Sequence, residues 1–269
     1  MDTNEKRRLQ ITACKIRMGI IEGVFNAKSG HPGGSLSIAD VLAYLYFKEM
    51  KIDPKNPKGH TAPGLYSALA NRGYFPVEYL KTLRKTDSFL EGHPDMKGTP
   101  GVDMSSGSLG QGISVACGMA LASKIDGDRF RVYSILGDGE LEEGQVWEAA
   151  MFASHKKLDT LVAIVDNNNL QIDGELDNVN SPYPIPEKFR AFNWHVIEVD
   201  GNDFDQLDSA FKEARTTKGQ PTAIIMKTIK GKGVSFMENK ASWHGAAPNE
   251  QEYKIAMSEL ESALCELEK

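Results

Sequence analysis

The pattern of apolar and polar residues along the chain changes character near residue 130. Before that point, apolar residues recur at helical spacing, as in residues 5–28, where Ile11, Ile16, Ile20 and Val24 form the stripe that we expect to be buried. Beyond it, short apolar runs alternate with helical segments. The pattern therefore predicts a helical first part and an alternating strand–helix second part.

Glycine- and proline-rich segments divide the first part. Because turn-forming residues dominate residues 28–35, we expect no helix or strand to run through them. Further loops are expected at 53–60, 91–94 and 99–102. The helices predicted after residue 28 lie at about 37–49, 63–71 and 113–124, and the small residues of the last one suit close packing against a sheet.

The second part alternates strands and helices. Strands are predicted at 131–136, 161–166, 195–199 and 221–227, and helices at 144–155, from an Asp203 N-cap to about Thr217, and at 249–267. Alternation with runs such as Leu-Val-Ala-Ile-Val predicts an α/β fold, in which helices cover both faces of a mostly parallel central sheet. We expect one domain over residues 1–269.

Composition and charge exclude several classes of protein. The formal net charge of -6 and the lack of a long basic run argue against a nucleic-acid surface. The polar N-terminus lacks the apolar core of a signal peptide, and no apolar run approaches the roughly 20 residues of a bilayer span. Three scattered cysteines predict reduced thiols, packed as small hydrophobic side chains, in a cytoplasmic protein.

Two polar motifs follow two successive predicted strands. Gly137-Asp138-Gly139 ends the first strand and Asn167-Asn168-Asn169 ends the next. Since the carboxyl ends of parallel strands meet at one edge, a carboxylate and an amide oxygen should converge there, as hard divalent cations prefer. Gly139 would let its backbone N–H approach a phosphate, and the helix beginning near Glu143 would add a favourable dipole. Either motif alone is usually a turn, but together they predict a metal-bridged diphosphate site.

The two motifs resemble the thiamine diphosphate signature, and five further segments resemble transketolase. These are Ser29-Gly30-His31-Pro32-Gly33, Lys58-Gly59-His60, Gly92-His93-Pro94, Gly107-Ser108-Leu109-Gly110-Gln111-Gly112 and His244-Gly245-Ala246. They occur in the family's order over nearly the whole chain. The resemblance implies a thiamine diphosphate-binding fold and the N-terminal, diphosphate-binding part of a transketolase.

The resemblance also implies a ligand set for metal and cofactor. Asp138, the side chain of Asn168 and the carbonyl of Leu170 would hold Mg²⁺, with Ca²⁺ or Mn²⁺ as alternatives. His60 and His244 would bind the diphosphate, Leu109 and Ile172 would press on the thiazolium, and Gly107 would offer its carbonyl to the aminopyrimidine. The full implied cofactor-binding set is His60, Gly107, Leu109, Gly137, Asp138, Gly139, Asn168, Ile172 and His244.

Four of the six histidines fall in the motifs of this resemblance. They are His31, His60, His93 and His244, which the resemblance assigns to catalysis, with His31 and His93 facing the sugar. Imidazole suits this task because its ordinary pKa lies near neutrality. His155 and His195 lie outside the motifs, and we expect structural roles for them.

Glu143 and Glu148 lie on the helix after the signature. The resemblance implies a buried carboxylate network across a dimer, while an acid favouring the helix dipole is an equal explanation for Glu143.

We expect the family's second, pyrimidine-binding domain to lie on a separate chain. In the family that domain carries the glutamate that activates the cofactor and most of the sugar-phosphate anchors, whereas only the predicted helix at 249–267 follows His244 here. A separate C-terminal transketolase subunit should therefore complete the site, in an α2β2 heterotetramer. The family also has a strand before its Gly-His motif, but here Asn56-Pro57 leads directly into Lys58-Gly59-His60.

The resulting expectation is one chain of a split transketolase in carbohydrate metabolism, of the pentose phosphate type. It would transfer a two-carbon ketol unit from a ketose phosphate to an aldose phosphate, with thiamine diphosphate and Mg²⁺. One alternative is a related enzyme of the 1-deoxyxylulose-phosphate synthase or dehydrogenase type. Another is a catalytically inert cofactor-binding or assembly subunit.

Overall fold

The computed structural model describes residues 1–52 and 62–269 of the chain. They form two units: a helical unit of Met1–Gly107 with Ile229–Lys269, and an α/β unit of Ser108–Thr228. The loop predicted over 53–60, the Asn56-Pro57 junction and His60 lie outside the described residues.

Long helix α1 is the centre of the helical unit, where α3, α4 and α10 pack against it. The α-helices of this unit are α1 (Thr3–Ala27), α2 (Pro32–Ser37), α3 (Ala39–Tyr44), α4 (Ala62–Arg72) and α10 (Glu250–Glu268). A π-helical turn covers Leu45–Glu49, and 3₁₀ turns cover Val77–Thr82 and Ala241–Trp243.

Helix α1 begins and ends as its sequence predicts. Asp2 caps it by accepting a hydrogen bond from Glu5 N at 2.8 Å, and the left-handed Lys28 ends it. The predicted stripe is buried at Ile16, Ile20 and Val24. Ile11 is only half-buried, so the prediction was wrong for that residue.

The segment after α1 differs from the prediction. Helix α2 begins at Pro32, inside the segment predicted to be a loop, because proline at the first helical position needs no N–H partner and already has a helical φ. The helix predicted over 37–49 is interrupted at Ile38 and passes into the π-helical turn from Leu45. The helix predicted over 63–71 is confirmed as α4.

The α/β unit contains the predicted parallel sheet. Its strands run in the order β1–β2–β6–β5, all parallel. They are β1 (Val132–Gly137), β2 (Leu161–Asn167), β5 (His195–Asp200) and β6 (Thr222–Lys227), and a separate antiparallel pair is formed by β3 (Leu170–Gln171) and β4 (Gly174–Glu175). The helices are α5 (Gln111–Asp126), α6 (Gly144–His155), α7 (Leu176–Val179), α8 (Ile185–Ala191) and α9 (Phe204–Thr216).

The core of this unit lies around β2, whose apolar run Leu161–Val165 is buried throughout. Helix α5 packs on β1 and β2 through the small residues Ala116, Cys117 and Ala120, as predicted. The backbone bond from Asp138 N to Asp166 O, at 3.2 Å, continues the pairing of β1 with β2. The carboxyl ends of these two strands are therefore neighbours.

The cysteines are all free thiols. Cys14 and Cys117 are buried as predicted, but Cys265 is exposed near the end of α10, so the expected packing was wrong there. None of the described helices combines the length and apolar character that a bilayer crossing requires.

Candidate functional site

The ends of β1 and β2 bring the two predicted motifs together. Asp138 is 1% exposed, and its Oδ2 accepts a hydrogen bond from Asn169 N at 2.5 Å. Its Oδ1 accepts from Gly139 N at 2.9 Å, which caps a 3₁₀ turn over Gly139–Glu142. Asn169 adopts the left-handed conformation (φ 65°) that asparagine tolerates in turns. The two motifs are therefore adjacent, as parallel pairing predicted.

The amide of Asn168 is held in one orientation. Its Nδ2 donates to Asp166 Oδ2 at 3.0 Å, while its Oδ1 accepts from Leu170 N at 3.1 Å. Buried Asp166 also accepts a hydrogen bond from Thr228 Oγ1. Because a carbonyl oxygen has two lone pairs, Asn168 Oδ1 retains one for a further partner. Asp166 was not singled out from sequence, although a buried acid at a strand's carboxyl end is a usable signal.

The predicted metal ligands fit a hard cation chemically. All three are oxygen ligands: the Asp138 carboxylate, Asn168 Oδ1 and the Leu170 carbonyl. They lie on the neighbouring turns that follow β1 and β2. Within 1–52 and 62–269, no three His, Cys, Asp or Glu side chains come together in a way that would hold a metal. A set with one carboxylate would therefore draw further ligands from phosphate oxygens and water.

Gly139 and the following helix fit the predicted diphosphate cradle less directly. The Gly139 N–H is engaged by Asp138 Oδ1, so this bond must be exchanged before the N–H can reach a phosphate. Helix α6 begins at Gly144, one residue after Glu143, but the 3₁₀ turn separates it from Gly139. Glu143 and Glu148 are both exposed in this chain.

Glu140 joins the glycine-rich segment to the signature turn. Its two carboxylate oxygens accept hydrogen bonds from Gly110 N at 2.9 Å and Gly137 N at 3.1 Å. Burial raises the pKa of Glu140 above its ordinary value, the two N–H bonds oppose that rise, and the charge of Glu143 adds to it. Gly110 has a φ of 78°, which favours glycine. Sequence reasoning missed Glu140, although it directly follows Gly-Asp-Gly.

Two large apolar side chains of the predicted cofactor set are exposed. Leu109 is 57% exposed and Ile172 is 60% exposed. Exposed aliphatic side chains beside a polar turn suit contact with an apolar ring. Their exposure is compatible with the predicted contact to the thiazolium.

Tyr183 contacts the Asn167-Asn168-Asn169 turn through its hydroxyl. Its hydroxyl donates to Asn167 Oδ1 at 2.5 Å. The pKa of Tyr183 lies above its ordinary value, chiefly because of burial and further because of the negative charge of Asp138. Tyr183 lies in no predicted motif, and its sequence gives no signal of this contact.

In the helical unit, His31 and His244 lie edge to face, with ring centroids 5.5 Å apart. Lys230 is 3% exposed, and its Nζ lies 3.2 Å from His244 Nδ1. An ammonium group only donates, so Nδ1 accepts and a neutral His244 carries its proton on Nε2. This arrangement presents an N–H donor beside a cation, which suits an anionic oxygen.

His31 is kept neutral by its surroundings. Its pKa lies below the ordinary value, first because neighbouring groups desolvate the ring, although part of the residue faces solvent. The charges of Arg84, His93 and Lys230 lower the pKa further. His31 is therefore an uncharged donor or acceptor at neutral pH. Neither Arg84 nor Lys230 was predicted, although Lys230 closely follows a strand end.

His93 is exposed and lies against Gly107. A Cβ on Gly107 would lie 2.7 Å from His93 Cδ2, so only glycine leaves room for the ring in this position. The structure thus brings together two predicted residues, one assigned to the sugar and one to the cofactor.

His155 and His195 are the two histidines outside the predicted motifs. His195 Nε2 pairs with Glu213 Oε1 at 2.7 Å, in line with a structural role. His155 is exposed at the end of α6.

Comparisons with known proteins decide the family. Residues 9–262 match the family described as transketolase, thiamine diphosphate binding domain. The chain belongs to the transketolase family. The predicted resemblance is confirmed.

Transketolase relatives of two lengths match this chain. The chain is 48% identical over 264 residues to the 6-deoxy-6-sulfo-D-fructose transketolase subunit SqwG of Clostridium sp. (strain MSTE9), covering 94% of this chain and 96% of that protein. It is 39% identical to an apulose-4-phosphate transketolase subunit of Phocaeicola vulgatus, with 97% and 96% covered. Human transketolase is 44% identical, but the match covers 91% of this chain and only 40% of that protein.

Solved transketolase structures share the fold. The structure from Campylobacter jejuni superposes with a TM-score of 0.88 at 29% identity, covering 99% of this chain and 46% of that chain. The α/β fold predicted from strand–helix alternation is the transketolase cofactor-binding fold.

Proposed function

We propose that this chain is the diphosphate-binding subunit of a split transketolase. With thiamine diphosphate and Mg²⁺, the assembled enzyme transfers a two-carbon ketol unit from a ketose to an aldose. The observation that carries the proposal is the contact of buried Asp138 with the Asn168-Asn169 turn, in a chain that covers nearly the whole of relatives named as subunits. Residues 1–269 would together be the diphosphate-binding domain.

The metal and diphosphate would be held by the predicted set. Asp138, Asn168 and the Leu170 carbonyl would supply the metal ligands, and Gly137, Gly139 and His244 would face the diphosphate. The N–H of His244 and the ammonium of Lys230 add favourable charge for phosphate oxygens. Bound thiamine diphosphate would supply the nucleophilic carbon and the electron sink for breaking and forming the carbon–carbon bond.

The histidines would handle the sugar. Neutral His31 can donate to a hydroxyl from one ring nitrogen and accept at the other, and His93 has an exposed ring with the same capacity. His60 keeps its predicted role on the diphosphate.

A partner chain would complete the active site. Exposed apolar side chains on the neighbouring helices α5 and α6, namely Val115, Met151 and Phe152, suit a protein interface better than solvent. Glu148 lies on α6, near Met151 and Phe152 in sequence, where a partner would bury it. We infer that this partner carries the pyrimidine-binding domain and its activating glutamate, and that two pairs form an α2β2 assembly.

The substrates are proposed as anionic sugars. The names of two relatives mention a sulfonated ketose and a sugar phosphate, so a negatively charged terminal group is common to both. The related 1-deoxyxylulose-phosphate synthase or dehydrogenase type and the inert assembly subunit remain the alternatives.

Reconstitution tests the proposal. The chain is co-expressed with a candidate partner from a neighbouring gene and assayed for transfer from xylulose 5-phosphate to ribose 5-phosphate, with and without thiamine diphosphate and Mg²⁺. We expect cofactor-dependent transfer by the pair and none by either chain alone. Activity of the lone chain would overturn the split site. Cofactor binding without transfer would favour the inert subunit. Formation of product from pyruvate would favour the 1-deoxyxylulose-phosphate synthase type.

A further inference from the structure

A loop of the helical unit, residues 94–106, separates two residues of the predicted site. His93 directly precedes this loop and Gly107 directly follows it. The two residues are in close contact, because a Cβ on Gly107 would lie 2.7 Å from His93 Cδ2. The two ends of the loop therefore determine where the His93 ring lies relative to the Gly107 backbone.

Hydrogen bonds join the two ends of the loop, and we call this joined part the neck. At its base, Ser106 N donates to Pro94 O at 3.1 Å. One residue further into the loop, Ser105 Oγ donates to Asp95 Oδ1 at 2.7 Å, and the same oxygen accepts from Met96 N at 3.0 Å. The hydroxyl of Ser105 thus bonds twice to the opposite side of the neck.

Asp95 is held at the neck as a charged acceptor. Its Oδ2 accepts from Gly98 N at 2.9 Å, and its carbonyl oxygen accepts from Thr99 N at 3.0 Å. The bond from the Ser105 hydroxyl is the main reason why the pKa of Asp95 lies below its ordinary value. The carboxylate is therefore ionised at neutral pH, and the hydrogen bonds that it accepts are charge-assisted.

The far part of the loop is anchored in the core of the helical unit. Thr99 is 3% exposed, and its Oγ1 donates to Phe89 O at 2.6 Å. Val102 is buried, and Gly101, with a φ of 96°, packs so tightly that a Cβ there would lie 2.5 Å from Leu69 Cδ2. The side-chain bonds of the neck, in contrast, are exposed. Loss of one neck bond should therefore move the ends of the loop and spare the core.

We propose that Asp95 and Ser105 are positioning residues of the active site, whose bond closes the neck and holds the His93 ring against Gly107. They act through the placement of His93 and not by contact with the substrate. This inference rests on the proposed function, which assigns His93 to the sugar. Since the Gly107 carbonyl is predicted to face the aminopyrimidine, the neck sets the placement of the sugar relative to the cofactor.

Steady-state kinetics of the reconstituted pair test the role of the neck. Ser105→Ala removes the hydroxyl that joins its two sides. We expect kcat/KM for ketol transfer to fall about 5- to 10-fold, since a shift of about 1 Å in a catalytic group can cost about 100-fold and the backbone bond of the neck remains. Asp95→Ala should cause a similar loss. Thiamine diphosphate affinity should stay nearly constant, because the strand-end turn with Asp138 is unaltered.

The conservative variant Ser105→Thr should recover most of the loss. It keeps a hydroxyl at the neck, and its extra methyl group has room because Ser105 is exposed. The control is Ser262→Ala, which removes an exposed hydroxyl that donates to Ser258 O on α10. It should leave kcat/KM unchanged. A loss in Ser105→Thr as large as in Ser105→Ala would contradict a role of the hydroxyl bond.

A double-mutant cycle with His93→Ala distinguishes positioning from a general loss of structure. If Ser105 acts through His93, Ser105→Ala should have almost no further effect once the ring is absent, since residues that act as one unit are not additive. Losses that simply multiply in the double variant would overturn the positioning role.

Hydrogen exchange of the complete chain, alone and in the pair, gives a readout that does not depend on activity. The amide of Ser106 is informative, because neither substitution at Ser105 removes its bond to Pro94 O. We expect this amide to exchange faster in Ser105→Ala, and at the original rate in Ser105→Thr and Ser262→Ala. Unchanged exchange in Ser105→Ala would overturn the neck assignment. Faster exchange in a pair that transfers no ketol unit would support the neck and instead be a failure of the proposed function.

Discussion

The two units differ in how they hold their polar groups. In the α/β unit, Asp138 and Asp166 are buried, and they accept from backbone N–H groups and from neighbouring side chains at strand ends. In the helical unit, His31 and His93 are exposed, and the pKa of His31 is lowered by partial burial and then by nearby charges. The strand ends therefore fix, through the backbone, the positions of the residues proposed to hold the metal. The surroundings of His31 instead favour its neutral form.

The largest expected effect is at the strand ends. Asp138→Ala removes the one carboxylate of the predicted metal set and the acceptor for Asn169 N–H. We expect metal-dependent thiamine diphosphate affinity of the assembled complex to fall at least about 100-fold, since buried charged contacts are worth several kcal/mol. Calorimetric titration of thiamine diphosphate in the presence of Mg²⁺ measures this affinity. Asp128→Ala, an exposed acid of the same unit, should bind normally, and unchanged affinity in Asp138→Ala would refute the ligand assignment.

His93→Ala is the corresponding change in the helical unit. It should slow turnover or raise KM about 10- to 100-fold, since leaving a polar group of the substrate without its hydrogen-bond partner costs about 1–3 kcal/mol. Cofactor affinity should stay nearly constant, because His93 is assigned to the sugar. Kinetics and cofactor titration on one preparation decide this. A fall in cofactor affinity instead would place His93 at the other end of the ligand.

Asp166→Asn tests whether the amide orientation matters. One of its two oxygens becomes a donor, so Asn168 Nδ2 or Thr228 Oγ1 loses its acceptor. We expect metal affinity to fall about 10-fold, the lower end of the range for residues that orient a metal ligand. Thr228→Val is the matched variant, since it removes only the Thr228 bond. It should reduce thermal stability without weakening metal binding, and equal affinity losses would contradict the orientation role.

Glu140→Gln should affect stability more than chemistry. A Gln amide offers one acceptor where Gly110 N and Gly137 N need two, so the free energy of unfolding should drop by about 1–3 kcal/mol near pH 7. The raised pKa also predicts a pH effect. The folded chain binds the proton more tightly than the unfolded chain, so this contribution to stability declines as pH rises through the folded pKa.

Urea unfolding at several pH values measures both effects of Glu140→Gln. The decline with rising pH should be weaker in the variant. An identical pH dependence in both chains would contradict the raised pKa of Glu140.

The smallest expected effect concerns His31. Its lowered pKa means that the unfolded chain protonates first on acidification, so its contribution to stability is present above about 6.5 and is lost as pH falls through the folded pKa. Arg84→Met should raise the His31 pKa slightly, because one nearby positive charge is removed from a partly solvated site. NMR titration of the ring measures it. A pKa that stays the same would show that Arg84 exerts no field on His31.

Three features were predictable from the sequence alone: the strand–helix alternation, the parallel sheet and the approach of Asp138 to the asparagine turn. These features follow from local periodicity and from the rule that the carboxyl ends of parallel strands lie at the same edge of a sheet. Neither depends on the packing of individual side chains. Pro32 is instructive, because its loop-like surroundings hid a helix start that proline permits. Local patterns predict the presence of helices and strands well and their boundaries less well.

The distant residues that hold the functional groups are evident only from the folded chain. Thr228 reaches Asp166, Glu140 links Gly110 to Gly137, Lys230 reaches His244 and Arg84 reaches Ser29. In each of these contacts, packing brings together two groups that are separated in the sequence. One of the two polar residues lies in no motif that the sequence reveals. Such contacts depend on how the chain closes on itself, and a periodicity read along one strand or helix does not contain that information.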